Sequence, residues 1–227
     1  MSRRLSALLA LAFAVAIATP AQATPINGSF DSGAFAPWTT AGQTSVIGAL
    51  GPVAPNDGPF QALLSTGGSS VSDAVLAAFF GIPAGAIDAL VGSAIAGSGI
   101  QQTFGVIAGE IYTFAYNFLT NEGTPSVFND TAFAVLNGQL FLLANTNSAF
   151  SGAAGTGFNE QTGWGTFAFI APITGNLTLG FGVVDVLDSV VDSALLVDAS
   201  VPEPATLGLL GVGLLALRRK ILRRNRE

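Results

Sequence analysis

The sequence predicts an all-β, antiparallel sandwich interrupted by one short helical insertion. Three observations point to it. Short apolar runs are separated by turns rich in glycine, of which the 227 residues contain 28. Several of the runs alternate apolar and polar side chains at a period of two, the signature of strands with one buried face. Finally, Asn137-Gly138 stands between two such runs, and Asn-Gly suits the type I′ turn of a tight hairpin.

Taken in order, residues 60–65 form the clearest strand of the first third. Residues 71–80 break the β pattern and read as a helix, with Ser70 as its cap, Asp73 at the third helical position and Gly81 as its stop. A further turn or two of helix is expected over 83–91. This apolar insertion, 71–91, could line a ligand site, enter a membrane, or cover an open end or edge of the sandwich. Strands follow at 100–107 and 111–119, joined by a turn at Ala108-Gly109. The Asn137-Gly138 hairpin joins 131–136 to 139–143, and residues 164–170, 177–184 and 193–197 complete the set.

The charges divide the chain into three parts. All eight basic residues lie at its ends: Arg3, Arg4, Arg218, Arg219, Lys220, Arg223, Arg224 and Arg226. Residues 24–200 hold twelve carboxylates and no Lys, Arg, His or Cys. Such a body cannot neutralise phosphates, so nucleic-acid binding is excluded. It forms no internal salt bridge or disulfide, and at about 177 residues it is long enough for one domain with its own core.

Residues 1–23 read as a signal peptide. Arg3 and Arg4 supply the positive start, an Ala/Leu-rich apolar run follows, and Ala21-Gln22-Ala23 gives the small-x-small cleavage pattern before Thr24. At the other end lies a second address, 201–227. Val201-Pro202-Glu203-Pro204-Ala205-Thr206 is followed by the uncharged run 205–217 and the basic cluster 218–226. Thirteen helical residues reach only about 20 Å against roughly 30 Å of hydrocarbon, although Ile221, Leu222 and snorkelling Arg side chains extend the run. The basic end is expected to stay in the cytoplasm, leaving the body outside the inner membrane.

These three tail parts, in this order, resemble the sorting signal of PEP-CTERM proteins. The resemblance implies recognition of Pro202, Glu203 and Pro204 by an exosortase-type sorting enzyme and membrane anchoring before processing. It also implies a cell envelope, surface or secreted destination in bacteria that build extracellular polysaccharide and biofilm matrix.

A second resemblance concerns the body. Asn27-Gly28-Ser29-Phe30-Asp31-Ser32-Gly33, with Trp38 shortly after, is similar to the opening of jelly-roll carbohydrate-binding and galactose-binding-like modules. The segment 192–200 is similar to their closing strand. The resemblance implies a jelly-roll sandwich and a structural calcium ion at Asp31 and Asp198, which six to eight oxygen ligands would complete. The alternative is two ordinary surface carboxylates, Asp31 in an Asx turn and Asp198 at a strand end.

Two further polar groups stand out: Asn117, Asn121, Glu122, Asn129 and Asp130 around one loop, and Asp185, Asp188 and Asp192 around another. Either could bind a cation or hydrogen-bond sugar hydroxyls, or serve as solvated turn residues. Trp38 and Trp164 are candidates for stacking on sugar rings or for the core.

Without His, Cys or Lys in the body, Ser-His and Cys-His triads, Lys nucleophiles and His- or Cys-based zinc sites are excluded. No phosphate-cradling loop or Gly-x-Ser-x-Gly motif is present. Only two-carboxylate glycoside chemistry stays open. The expectation is an exported, non-catalytic surface or matrix protein with affinity for extracellular polysaccharide. A glycoside hydrolase or lyase, or a purely structural or adhesive module, is the alternative.

The terminal signals predict a mature chain that begins at Thr24 and lacks the apolar C-terminal segment. Intact mass of the protein from cells and medium checks this: retention of 218–226 in most secreted material counts against it. Glu203→Ala should leave the tail uncut.

Overall fold

A computed structural model describes residues 25–150 and 152–199. The signal peptide at 1–23 and the tail at 201–227, with Pro202, Glu203, Pro204, the apolar run and the basic cluster, lie outside the described residues.

The elements run in the order β1 (Thr39–Ala41), β2 (Gln43–Ile47), β3 (Gln61–Ser65), β4 (Val71–Ser72), α1 (Asp73–Phe80) and α2 (Ala86–Val91). There follow β5 (Ala94–Val106), β6 (Ile111–Thr120), β7 (Thr131–Leu136), β8 (Gln139–Asn145), β9 (Gly152–Ala153) and β10 (Glu160–Gln161). The last three strands are β11 (Gly165–Ile170), β12 (Gly175–Val186) and β13 (Ser193–Ala199).

They pair, antiparallel throughout, into two sheets that make a jelly-roll-like sandwich. The first runs β1-β5-β12-β7-β8, with β4 also on β5. The second runs β2-β3-β13-β6-β10-β9, with β11 also on β6. The first described segments are tied to the first sheet: the buried Gln102 amide accepts from the Ile26 N–H at 2.9 Å and donates to the Ile26 carbonyl at 2.8 Å.

The period of two decides which residues fill the space between the sheets. Ala132 and Ala134 of β7, Leu177, Leu179, Phe181 and Val183 of β12, and Leu195 and Val197 of β13 all belong to one buried cluster with Phe114 and Phe118 of β6. Fully burying a Phe or Leu side chain contributes about 1.5–3 kcal/mol, so this cluster dominates the favourable side of folding. Trp38 joins it, 4 % exposed, with its indole N–H donating to the Asn27 carbonyl.

The alternate positions do not face water either. Phe133 and Val135 of β7 and Val184 and Val186 of β12 form a second cluster with Leu76, Ala77 and Phe80 of α1. The helices therefore lie on the outer face of the first sheet and cover a face, whereas the sequence suggested an end or edge. Glycines make room for them. A Cβ on Gly99 or Gly180 would stand 2.5 Å from the Phe80 ring, and one on Gly182 would stand 2.5 Å from Phe133. On the second sheet, Leu119, Ala194 and Leu196 are covered by Val53, Ala154 and the half-buried Trp164.

The helix cap differs from the expectation. Ser72, with its hydroxyl accepting from the Val75 N–H, caps α1, and Asp73 opens the first turn. Ser70 cannot do so because Val71 and Ser72 are extended and pair with Gly97 and Ala96 of β5. Gly81 is the stop, at φ 65°, a left-handed conformation that glycine adopts without a Cβ penalty. The hairpin is as expected: Leu136 faces Gln139, and Asn137 and Gly138 both have positive φ.

Candidate functional site

Three places on the described domain carry chemistry. The first is a groove of about 430 Å³ on the outer face of the first sheet, beside the C-terminal end of α1. Its floor comes from the outward positions of neighbouring strands: Thr39 of β1, Gln101 and Thr103 of β5, and Thr178 of β12. Its wall is Phe79, Phe80 and Gly81. The Thr103 and Thr178 hydroxyls lie 2.7 Å apart and share a hydrogen bond, while the Gln101 amide donates to the Phe79 carbonyl and fixes the helix end to the sheet. Hydroxyls, amides and an aromatic ring line this groove, and no carboxylate, Tyr or other general acid or base is among its lining residues.

The second place joins the chain ends of the domain. Asp198 on β13 is fully buried, and its Oδ2 accepts from the Asp57 N–H at 2.8 Å. The next residue, Gly58, sits at φ 62° so close to Asp31 that a Cβ there would lie 2.1 Å from the Asp31 Oδ1. One turn, Asp57-Gly58, thus touches both carboxylates of the expected calcium pair. Asp198 is not the surface residue of the alternative reading, whereas Asp31 is exposed and accepts from the Ser29 hydroxyl at 2.9 Å.

The third place is the end of the inter-sheet space. Following the inward alternation of each strand past its last apolar residue leads to a polar residue every time: Thr66 after β3, Ser98 on β5, Thr120 on β6, Asp130 before β7, Asp185 on β12 and Ser193 on β13. All six are buried. The acids of the two polar groups separated in sequence therefore meet in space, Asp130 feeling Glu122 and Asp188, and Asp185 feeling Asp130, Asp188 and Asp192. Asn117, by contrast, pairs with Gln161, Asn121 with Asn159 and Asn129 with Thr146. Asn117, Glu122, Asp130 and Asp185 are buried where a solvated-turn reading would expose them.

Asp130 is held on both oxygens, by the Val186 N–H at 3.0 Å and the Ser193 hydroxyl at 2.6 Å. That hydroxyl also lies 2.9 Å from the Thr120 hydroxyl. Neither oxygen of Asp185 has a hydrogen-bond partner, nor does the Glu122 Oε1. Burial pushes Asp130 up to about 7; the Ser193 and Val186 hydrogen bonds pull it down, and the Glu122 and Asp188 charges push it further up. Burial likewise pushes Asp185 up to about 7, opposed by the Thr66 hydroxyl and reinforced by Asp130, Asp192 and Asp188. Among the described residues no three carboxylates converge as a ready-made metal cage.

Residues 200–224 match the PEP-CTERM protein-sorting motif, a span that includes Pro202, Glu203 and Pro204. The motif points to an exported protein that is anchored at the membrane before processing. No helix among the described residues is long and apolar enough to cross a membrane. Comparison with the curated proteins gives no match.

Among solved structures, the chain is similar to TmCBM61 in complex with β-1,4-galactotriose, at 11 % identity and a TM-score of 0.44 over 79 % of this chain and 97 % of that one. It is similar to a Family 16 Carbohydrate Binding Module-2 at 12 % identity and a TM-score of 0.40, over 78 % of this chain and 98 % of that one. It is also similar to the enzymatically active domain of bacteriophage CBA120 tailspike protein 4, at 12 % identity and a TM-score of 0.38, over 78 % of this chain and 21 % of that one. The two-sheet fold of this chain rests on its own strand pairing.

Of the ligand candidates named from sequence, Trp38 lies in the core and Trp164 is half-buried under a loop, its indole N–H donating to the Ala54 carbonyl at 3.3 Å. Neither lines the groove. Sequence reasoning missed Phe79, Gln101, Thr103 and Thr178. The available signal was the outward register of residues 101 and 103, which gained meaning only once α1 was placed beside them.

The buried acids set an unusual pH dependence. Asp130 and Asp185 bind protons more tightly folded than unfolded, so they subtract stability as pH rises from about 4 to about 7, and the loss is complete above that. In chelator, unfolding of the protein followed against pH should show stability falling across this window. Asp185→Asn should raise the unfolding temperature at pH 8 and flatten the fall. An Asp185→Asn protein less stable than wild type at pH 8 would contradict the assignment.

Proposed function

We propose that this protein is a non-catalytic cell-surface or extracellular-matrix protein, sorted through its C-terminal signal by an exosortase-type enzyme, whose sandwich binds extracellular polysaccharide. The groove beside α1 carries this reading. Polysaccharide chains present hydroxyls along their edges and apolar C–H faces between them. Thr39, Gln101, Thr103 and Thr178 offer paired donors and acceptors for the first, and Phe79 offers a ring for the second. The lack of any acid or base among the lining residues supports binding without bond cleavage, since glycoside hydrolysis needs two carboxylates flanking the sugar bond.

The calcium reading belongs to the same proposal. Asp31 and Asp198 would hold the ion, with the Asp57-Gly58 turn packed against both, and the ion would supply charge neutralisation that a body without Lys or Arg cannot. Oxygen donors alone are available there, which suits calcium.

Affinity electrophoresis against polysaccharide exported by the producing cells tests the groove. Retardation of the wild-type protein should fall on Phe79→Ala by about tenfold in affinity, the scale of one lost stacking contact of about 1–1.5 kcal/mol. Equal retardation of both proteins removes the groove from the binding site, and release of reducing ends from the polysaccharide would overturn the non-catalytic reading.

For calcium, thermal unfolding at constant ionic strength should occur higher with the ion than with chelator. Linkage gives about 2.7 kcal/mol per site at a hundredfold excess over the dissociation constant. Asp198→Asn should remove one bound calcium per chain in equilibrium dialysis, and unchanged stoichiometry would reject the Asp31–Asp198 site.

A further inference from the structure

We propose that the acidic end of the inter-sheet core is a second, separate divalent-cation site, anchored by Asp185 and suited to calcium. The starting observation is a carboxylate where none can stand alone. Asp185 is 1 % exposed, and neither of its oxygens has a hydrogen-bond partner. Glu122, 6 % exposed, has its Oε1 unpartnered at the same end. An isolated buried carboxylate costs several kcal/mol, and such groups are neutralised or paired. No Lys, Arg or His in the body can pair with it. That leaves a proton or an ion from solution.

A proton does not satisfy the geometry. Protonation turns one Asp185 oxygen into a donor and leaves the other buried without a hydrogen bond, since neither oxygen is hydrogen-bonded and the neighbouring Thr66 hydroxyl already accepts from the Ser193 N–H at 2.9 Å. No hydrogen bond joins Asp185 to Asp130, whose oxygens accept from the Val186 N–H and the Ser193 hydroxyl, so the two acids do not share a proton in this arrangement. A cation instead uses the free lone pairs directly, and an oxygen accepting one hydrogen bond retains a lone pair for a metal.

The donor chemistry selects the ion. Carboxylates and the Thr66 and Thr120 hydroxyls are hard oxygen ligands, and His and Cys are absent from the body, so zinc and copper are disfavoured. Since no three described carboxylates converge, the remaining ligands are hydroxyls, backbone carbonyls and water. Calcium, which accepts six to eight oxygens in flexible geometry, tolerates this better than octahedral magnesium. Solvent reaches the same end of the molecule: Asp192 lines an open recess of about 300 Å³ with Ser65 and Gly67, and its carboxylate lies against Gly67.

The site differs from the Asp31–Asp198 pair in residues and in place, so the two can be tested apart. Equilibrium dialysis of the exported protein with calcium at neutral pH should show one bound ion per chain fewer in Asp185→Asn than in wild type, whether or not Asp198→Asn removes another. Glu122→Gln should weaken the same ion without abolishing it, through the lost charge. Because Asp185→Asn removes a buried charge, the variant should fold, and circular dichroism in chelator should match wild type. Calcium should raise the unfolding temperature of wild type more than that of Asp185→Asn. Equal calcium stoichiometry and affinity in wild type and Asp185→Asn would overturn the proposal. So would magnesium binding at this site as tightly as calcium, which would remove the argument from flexible coordination.

Discussion

Between residues 24 and 200 no side chain can carry a positive charge, and every polar choice in the domain answers to that constraint. Twelve carboxylates must be solvated, hydrogen-bonded to neutral donors, protonated or bound to ions from outside. Asp130 takes the second route, using the Val186 N–H and the Ser193 hydroxyl. Asp198 uses the Asp57 N–H in the same way. Asp185 has only the Thr66 hydroxyl beside it and no donor in hydrogen-bond geometry, which is why the end of the sandwich, and not its apolar middle, is where solution conditions should be felt. An exported protein meets an environment whose pH and divalent-ion content vary, and an acidic domain without cations is coupled to both.

The same chain solves its apolar problem by stacking more layers than a two-sheet sandwich requires. Residues of β7 are buried on both faces, Ala132 and Ala134 toward the second sheet and Phe133 and Val135 toward the helices. On β5 and β12 the large residues point inside and glycines face α1, with Phe80 lying over Gly99 and Gly180 where side chains would collide. That close seating places the end of α1 against the sheet, and the groove beside it is its by-product. A functional surface thus follows from a packing decision: without the glycines the helix would ride higher and Phe79 would not stand beside the threonines.

The tail and the domain divide the labour. The PEP-CTERM motif at 200–224 concerns where the protein goes, and it begins immediately after β13, the strand that carries Asp198. The closing strand of the sandwich is therefore the attachment point of the sorting segment. β13 lies between β3 and β6, its pairing to β3 ending at Val197 and its pairing to β6 running on to Ala199, the last residue before the motif.

Strand identity was legible in the sequence wherever one rule acted alone. Period-two runs marked β3, β5, β6, β11, β12 and β13, and the backbone demand for positive φ at two successive residues marked the Asn137-Gly138 hairpin. The charge segregation and both terminal signals are properties of the sequence itself. The helix cap differs by two residues from the sequence expectation because pairing of Val71 to Gly97 and of Ser72 to Ala96 on β5, distant in sequence, outweighed the local capping preference of Ser70. The groove was not legible, because Phe79 belongs to a helix whose seat depends on glycines in two distant strands. Nor was the buried acidic end. Alternation says which face a residue takes, but only the stacking of two sheets decides which inward positions meet, and so which carboxylates leave water together.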